Sequence, residues 1–456
     1  MFSMTPLFAD RSMGGAQKQL RKVALHLAQQ GHEVQIFCTR RHPDALEPFH
    51  WHANAVVRPT LRFKQPFPEP YDTPVYNIAN AIADVIEACQ NADAFYSHDG
   101  GLTFPFVYTH TRSVVSLRSV LFSETLQSGF LFNADALIVP SAHTANVWLA
   151  TAGQFYPELA ERIHVIPNGL DFAAYHPNAD GDTLKARLGL PAGRYLLYPH
   201  RPEDGKGIRQ SIALLDRLVN GHGQRDLYLL VPQWIDTALA AHVRAYYDGL
   251  LADIAARGLR DHVIFHPWIS DEDMPAYFRL GAVTLVLGSY VETFGNTPYE
   301  SLACGTPAIV ANVAAYRGAL PDAYTCDYGD LETATARALR FLNEGDADAE
   351  ATQRWLHTRY QQADMVQRYE QLILEPTRLP PMTHRYEAPQ AYQLAPWCYI
   401  TPQGRIYHDF LGQMVDQPAL VAAMTTGALP ADHPLAAAAR AEGLIVPAHL
   451  PMMSVR

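Results

Sequence analysis

The chain has 456 residues, more than one hydrophobic core organises, because single cores stop growing near ~250–300 residues. Its 48% hydrophobic and 18% charged content excludes a disordered polymer. A formal net charge of -11 without a basic run argues against nonspecific nucleic-acid binding, which needs clustered Lys and Arg against phosphates. Cys38, Cys89, Cys304, Cys326 and Cys398 are scattered with no Cys-x-x-Cys pair. Neither a zinc site nor a disulfide framework is indicated, and a reducing cytoplasm is the expected compartment. No basic leader precedes an apolar core at the start, and no apolar run reaches the ~18 residues a membrane span needs. Any membrane contact is expected to be peripheral.

Along the chain, short β-branched runs alternate with longer helical patterns, which predicts α/β units and a parallel sheet. Leu20, Val23, Ala24, Leu27 and Ala28 recur at three- and four-residue spacing, Gly31 ends that helix, and residues 34–37 supply a strand. Further strands are expected at 94–96, 106–108, 136–139 and 164–166. A second series runs through 195–198, 227–231, 263–265, 283–287 and 308–310. Between the series, Pro167-Asn168-Gly169-Leu170-Asp171 carries turn chemistry and is the expected connection. Prolines between 375 and 381 close the second series. A hairpin pattern follows, with 399–401 and 405–407 flanking Pro402-Gln403-Gly404, and two Ala-rich helices come after it. The tail reads either as a small α+β module, of winged-helix type for instance, or as an elaboration packed on the second domain.

The most informative segment is Glu292-Thr293-Phe294-Gly295-Asn296-Thr297-Pro298-Tyr299-Glu300. It follows an apolar strand and opens a short helix, with Pro298 expected at its first position. Free N–H groups and the positive end of the helix dipole make such a start suited to phosphate or sugar oxygens, and Gly295 would let a ligand approach the backbone. Thr297 and Glu300 also read as a capping box, in which the glutamate only satisfies the helix start. The position of Glu292 past a strand's carboxyl end favours the ligand reading, since open α/β sheets bind ligands there.

Glu292 and Glu300, spaced around Phe-Gly and followed by Ser301-Leu302-Ala303-Cys304-Gly305-Thr306-Pro307, resemble the signature of glycosyltransferase family 4. In that family the first glutamate touches the donor hexose and the second the nucleotide ribose. Pro199-His200-Arg201-Pro202-Glu203-Asp204-Gly205-Lys206-Gly207 is similar to the family's segment that holds the donor diphosphate, which implies that Arg201 and Lys206 are its cations. His200 stands where the family usually has glycine. Gly14 and Gly15 resemble the family's glycine-rich loop before the first helix. The first strand is short at its beginning, so the natural start is expected upstream. His110, expected at the end of the strand 106–108, resembles the family's active-site histidine, which hydrogen-bonds the donor sugar; His98 and Asp99, ending the preceding strand, are expected to line the same cleft. Trp268 and Ile269 fall where the family's loop passes the nucleobase, and Trp268 also reads as simple packing.

The resemblance covers about residues 1 to 374 and implies two Rossmann-like domains facing across a cleft, the GT-B arrangement. The expected division is residues 1–168, an acceptor-side domain; 169–352, a nucleotide-sugar-binding domain; 353–375, a helix crossing back to the first; and 376–456, an accessory module outside the resemblance. It implies transfer of a hexose from a nucleoside diphosphate sugar, UDP first, with retention and without a metal or other cofactor. Alternatives on the same scaffold are a nucleotide-sugar epimerase, a phosphorylase, or a noncatalytic sugar-nucleotide-binding scaffold. The acceptor stays open among glycans, small molecules, lipid-linked carriers and peptides; the aromatic and proline-rich stretch 63–71 reads either as a loop that shapes its site or as a packed loop alone.

Overall fold

A computed structural model of the chain describes residues 1–12, 14–40, 47–62, 74–100, 107, 110–233 and 240–454. The stretch 63–71 and the expected strand 106–108, apart from Val107, lie outside the described residues. The chain divides into two compact units. The first comprises Met1–Gly169, Gln362–Tyr399 and Gln417–Ser454, and the second Leu170–Gln361 and Ile400–Asp416.

In the first unit, strands β1 (Phe2–Ser3), β2 (Val34–Thr39), β3 (Phe49–His52), β4 (Ala55–Leu61), β5 (Ala94–His98), β6 (Arg112–Ser116), β7 (Ala136–Val139) and β8 (Ile163–Val165) form one sheet in the order β3-β4-β2-β1-β5-β6-β7-β8. The pairings are parallel except that of β3 with β4. The aliphatic run of β7, buried at every position, is the sequence of a strand covered on both faces. Helix α1 (Gly15–Gln29) buries Leu20, Val23, Ala24, Leu27 and Ala28 against this sheet. The same core is completed from far along the chain by Met365, Val366, Tyr369 and Ile373. These four lie on one face of a later helix, Gln362–Leu374.

In the second unit, β9 (Arg194–Leu197), β10 (Leu227–Pro232), β11 (Val263–His266), β12 (Gly281–Val286), β13 (Ala308–Ala311) and β14 (Thr325–Cys326) form a parallel sheet in the order β11-β10-β9-β12-β13-β14. The strand order turns back on itself between β9 and β12, and such a switch point opens a crevice at the carboxyl edge of a parallel sheet. Helix α2 (Asn296–Ala303) follows β12. A short helix, Ala349–Arg359, ends this unit's main segment, where Leu170 N–H donates to the Tyr360 carbonyl at 2.7 Å.

Residues 376–456, read in sequence as one accessory piece, are apportioned to both units. In the first unit, an extended strap is held by arginine side chains: Arg112 Nη1 donates to the Thr377 carbonyl at 2.6 Å, and Arg162 donates to the Pro380 carbonyl. Strands β15 (Ala391–Leu394), β19 (Leu429–Pro430) and β20 (Ile445–Pro447) then form a small antiparallel sheet. Between them in sequence come β16 (Cys398–Ile400), β17 (Ile406–His408) and β18 (Gln413–Val415), and the β17–β18 hairpin belongs to the second unit. The two Ala-rich helices are Pro418–Thr425 and Ala436–Ala441. Among the described residues, no helix is long and apolar enough to cross a membrane.

Candidate active site

The site in the second unit is built from the loops after β9 and β12. After β9, the buried Tyr198 hydroxyl donates to the Arg201 carbonyl at 2.9 Å, which folds residues 199–203 back on their own strand. A short turn at Asp204–Lys206 then leads into Gly207, whose φ is 88°. A methyl group on Gly207 would lie 2.4 Å from the Gly288 nitrogen, and one on Gly288 would lie 2.2 Å from the Gly205 carbonyl oxygen. Only two glycines allow these backbones to touch. The contact is sealed by Tyr290 N–H donating to the Gly205 carbonyl at 2.9 Å.

That backbone contact brings together two residues separated widely in sequence. Lys206 Nζ donates to Glu292 Oε1 at 2.6 Å, with the lysine side chain 16% and the glutamate side chain 22% exposed. The ammonium also sits 3.6 Å from the Tyr290 ring centroid, a cation–π contact. Arg201 lies on the same loop, more exposed, with its Nε 3.2 Å from Glu203 Oε1. His200 precedes Arg201 on the same loop. Burial first, then Lys206, pushes its imidazole down to about 3, so it is neutral at pH 7. Its Nε2 is buried without a hydrogen-bond partner.

The loop after β12 enters α2 through Gly295, at φ 72°. The N-cap is Gly295, which has no side chain, and Thr297 already lies inside the helix, so Thr297 does not take the N-cap place the capping box requires. Pro298 occupies the third helical position rather than the first, where a missing N–H is still harmless. The need for glycine at 295 also has a different cause from the expected ligand approach: a methyl there would fall 2.0 Å from the Tyr316 hydroxyl. That hydroxyl is buried without a hydrogen-bond partner. Burial, followed by the charges of Glu292 and Glu300 and the neighbouring Tyr299, raises its pKa. Tyr316 therefore lies within the field of both glutamates. Phe294 is buried and stacks on Tyr299 with centroids 4.6 Å apart, which makes it part of the core under the loop. Trp268, past the end of β11, is 55% exposed while its neighbour Ile269 is 7% exposed and packs in the core. Simple packing therefore describes Ile269 and not Trp268.

At the carboxyl edge of the first unit's sheet, Gly14 and Gly15 open α1, again with no side-chain cap. His98, the last residue of β5, is buried beside that helix start. Its Nε2 is 2.7 Å from the Ala16 carbonyl and its Nδ1 is 2.7 Å from the Tyr96 hydroxyl. Burial and Arg118 push it down to about 3. A neutral ring then donates from Nε2 and accepts at Nδ1. Asp99 follows in a left-handed conformation at φ 61° and accepts the Arg118 N–H at 2.9 Å. The strand-end position expected for His110 is not what the structure shows. His110 is an exposed turn residue before β6, at the amino edge of the parallel sheet. The β-branched run that forms the strand is Arg112–Ser116, and it is His98 that reaches the carboxyl edge.

Tyr198, Tyr290 and Tyr316 were missed in sequence. Tyr290 lies two residues before Glu292 and carries the one local signal, an aromatic beside a strand end; the others join the site only through folding.

The family description "Glycosyltransferase Family 4" matches residues 13–174, and "Glycosyl transferases group 1" matches residues 183–355. The D-inositol 3-phosphate glycosyltransferase of Acidothermus cellulolyticus is 28% identical over 341 residues, covering 68% of this chain and 73% of the relative. That of Nocardiopsis dassonvillei is 36% identical over 167 residues, covering 35% of this chain and only 37% of the relative's own length. Among solved structures, sucrose-phosphate synthase from Thermosynechococcus elongatus aligns with TM-score 0.61 at 18% identity, covering 81% of this chain and 97% of that one. Anabaena Alr3699/HepE in complex with UDP-glucose aligns with TM-score 0.61 at 17% identity, with the same coverages of 81% and 97%. These likenesses show the GT-B fold. With both family regions in place along the sequence and Lys206 set against Glu292 at the carboxyl edge of the second sheet, the chain belongs to glycosyltransferase family 4.

Proposed function

We propose that the chain transfers a hexose with retention from a nucleoside diphosphate sugar, a UDP-sugar first, to a hydroxyl acceptor, with no metal required. The observation that carries this reading is the Lys206–Glu292 contact at 2.6 Å on the carboxyl edge of the second sheet. It sets a cation for the diphosphate beside a carboxylate for the sugar. Arg201 is a second cation on the same loop, and the start of α2, opened by Gly295, carries the positive end of the helix dipole. In this reading Glu292 orients the hexose and Glu300 the ribose. The α2 residues Asn296 and Thr297 meet the donor through the helix start, and Trp268 is available to the base.

Catalysis then consists of stabilising charge where it develops. As the anomeric C–O bond to phosphate breaks, negative charge builds on the leaving diphosphate, where Lys206, Arg201 and the helix end receive it. The acceptor oxygen bonds to the anomeric carbon from the face the diphosphate leaves, and its proton passes to the departing phosphate oxygen. Two cations and a helix dipole supply the charge stabilisation for which other transferases use a divalent ion, which supports the metal-independent reading. UDP-glucose in the Anabaena structure supports beginning with UDP donors, and the relatives named for D-inositol 3-phosphate support beginning with phosphorylated polyols as acceptors.

A thermal-shift screen of UDP-, GDP- and ADP-sugars tests the donor, since a ligand that binds only the folded chain raises its melting temperature. Selective stabilisation by one donor, followed by release of its nucleoside diphosphate when acceptor is added, is the expected result. Indifference to every nucleotide sugar would sink the reading.

A further inference from the structure

The tail hairpin of the second unit ends on the back of the donor loop. Its β17 and β18 strands pair Ile406 with Val415 and His408 with Gln413, leaving a four-residue turn that begins at Asp409. The turn closes on itself through Gly412 N–H to the His408 carbonyl at 2.9 Å. At Gly412 a methyl would stand 3.1 Å from the Ser289 hydroxyl, three residues before Glu292. The Tyr407 ring lies 5.2 Å from that of Tyr328. The hairpin is therefore packed into the unit along its length.

Asp409 carries the connection. Its side chain is 0% exposed and its Oδ1 accepts from Arg317 Nη2 at 2.6 Å and from the Ala314 N–H at 3.0 Å. Ala314 has φ 45°, a left-handed conformation that an alanine rarely adopts. A charge-assisted acceptor on its own N–H is the means of holding it there. The next residue donates directly to the site: Ala315 N–H reaches the Glu292 carbonyl at 3.2 Å. The one after is Tyr316, whose hydroxyl fills the space under Gly295. From the buried carboxylate to the donor loop there are thus hydrogen bonds from two successive backbone N–H groups, one to the Asp409 side chain and one to the Glu292 carbonyl, and an aromatic wedge.

We propose that Asp409 is a positioning residue for the donor hexose: by clamping the 314–317 turn it holds Glu292 and the Gly295 start of α2 in their working geometry. This rests on the donor-site reading above and extends it to a tail segment that lies outside both family-matched regions. The tail is in this sense a part of the active site's frame. Neither Asp409 nor Arg317 touches the donor; both act through Ala314, Ala315 and Tyr316.

The test uses the full chain with UDP and UDP-glucose as probes, read as UDP affinity by calorimetry and as UDP release from UDP-glucose. Asp409→Asn keeps the shape and removes the charge. It is expected to lower kcat on the order of ten- to hundredfold, the loss that misplacement by about 1 Å produces, while UDP affinity changes less than about threefold because the diphosphate and ribose groups are untouched. Adding Ala314→Gly, which adopts φ 45° without the clamp, is expected to restore much of the lost kcat. Unchanged turnover in Asp409→Asn would overturn the proposal. So would an equal loss of UDP affinity and turnover that Ala314→Gly does not restore, since that is the signature of a merely structural aspartate. Failure of the wild-type chain to bind UDP-, GDP- or ADP-glucose would instead sink the donor-site reading, and this proposal with it.

Discussion

The carboxyl edges of the two sheets are built alike and wired differently. In the first unit, His98 spends both ring nitrogens on Ala16 and Tyr96. Asp99 is tied to the Arg118 backbone, and the Arg118 guanidinium reaches the Tyr369 hydroxyl at 3.0 Å and the Asn168 side chain. Every one of these partners belongs to the protein, so the network fixes the backbone. In the second unit, Lys206 and Glu292 hold one another while partly exposed, and His200 and Tyr316 keep buried polar atoms with no hydrogen-bond partner. In a pair this far withdrawn from water, desolvation offsets much of the attraction, so its net worth to stability is small and a ligand's phosphate and hydroxyls can take the partners' places. The comparison teaches that similar residue types at equivalent sheet edges divide into scaffold and reagent according to whether their hydrogen bonds are already committed.

The largest effect that can break this comparison is Lys206→Ala. If Lys206 stabilises the leaving group as proposed, its removal is expected to lower transfer on the order of 10²–10³-fold, with donor turnover measured on the folded fraction because Glu292 loses its partner. Near-normal steady-state transfer would place the second edge with the scaffold. Next is Gly207→Ala, in which a methyl 2.4 Å from the Gly288 nitrogen at φ 88° must push the two loops apart. A loss of about 2–3 kcal/mol in denaturant unfolding is expected from overpacking and left-handed strain together, and a stable variant would show that the loops do not need to touch.

The opposite outcome is expected for His98→Gln, which should cost about 1–2 kcal/mol of stability by disturbing buried hydrogen bonds and leave UDP affinity intact. Its pH dependence sharpens the assignment. The folded His98 titrates near 3 against an ordinary value of 6.5. Above pH 6.5 the ring is neutral whether folded or unfolded. Between 6.5 and 3 the unfolded chain binds a proton that the native one does not, so stability falls as pH falls. Asp99, raised to about 6, works in the other sense but is common to both proteins. The stability advantage of wild type over His98→Gln should therefore shrink as pH drops from 6.5 toward 3 in a series of urea titrations; a constant advantage would mean the histidine is not held neutral. The smallest effect is expected for His110→Ala, an exposed turn residue whose loss should change stability within about 0.5 kcal/mol and leave UDP release unaltered. A large drop in turnover would return that residue to the site.

What sequence made legible was what is local. The strand runs, the α1 periodicity, and the Glu292–Glu300 spacing each lie within one short stretch, where the period of side chains and the place of a strand end are readable. The position of His110 was not, because strand-forming runs, Phe106-Val107-Tyr108 and Val114-Val115, occur on both sides of it and only pairing with β5 and β7 decides that the strand is Arg112–Ser116. Gly207 and Gly288 looked unrelated because their requirement is mutual. The capping box failed since Gly295 starts the helix earlier, a choice imposed by Tyr316 beneath it. The tail resembled one piece because its two small sheets are continuous in sequence, while the partners that divide them, such as Arg317 for Asp409 and Arg112 for Thr377, lie a long way upstream.

The core of the first unit is closed by Met365, Val366, Tyr369 and Ile373, from a helix made after the whole of the second sheet. During synthesis, residues 1–169 must therefore wait at the ribosome with part of their apolar surface open until that helix emerges, although the strands of the second sheet, complete by Cys326, are already free to assemble. Nascent chains halted before residue 362 should accordingly be the form most in need of a chaperone.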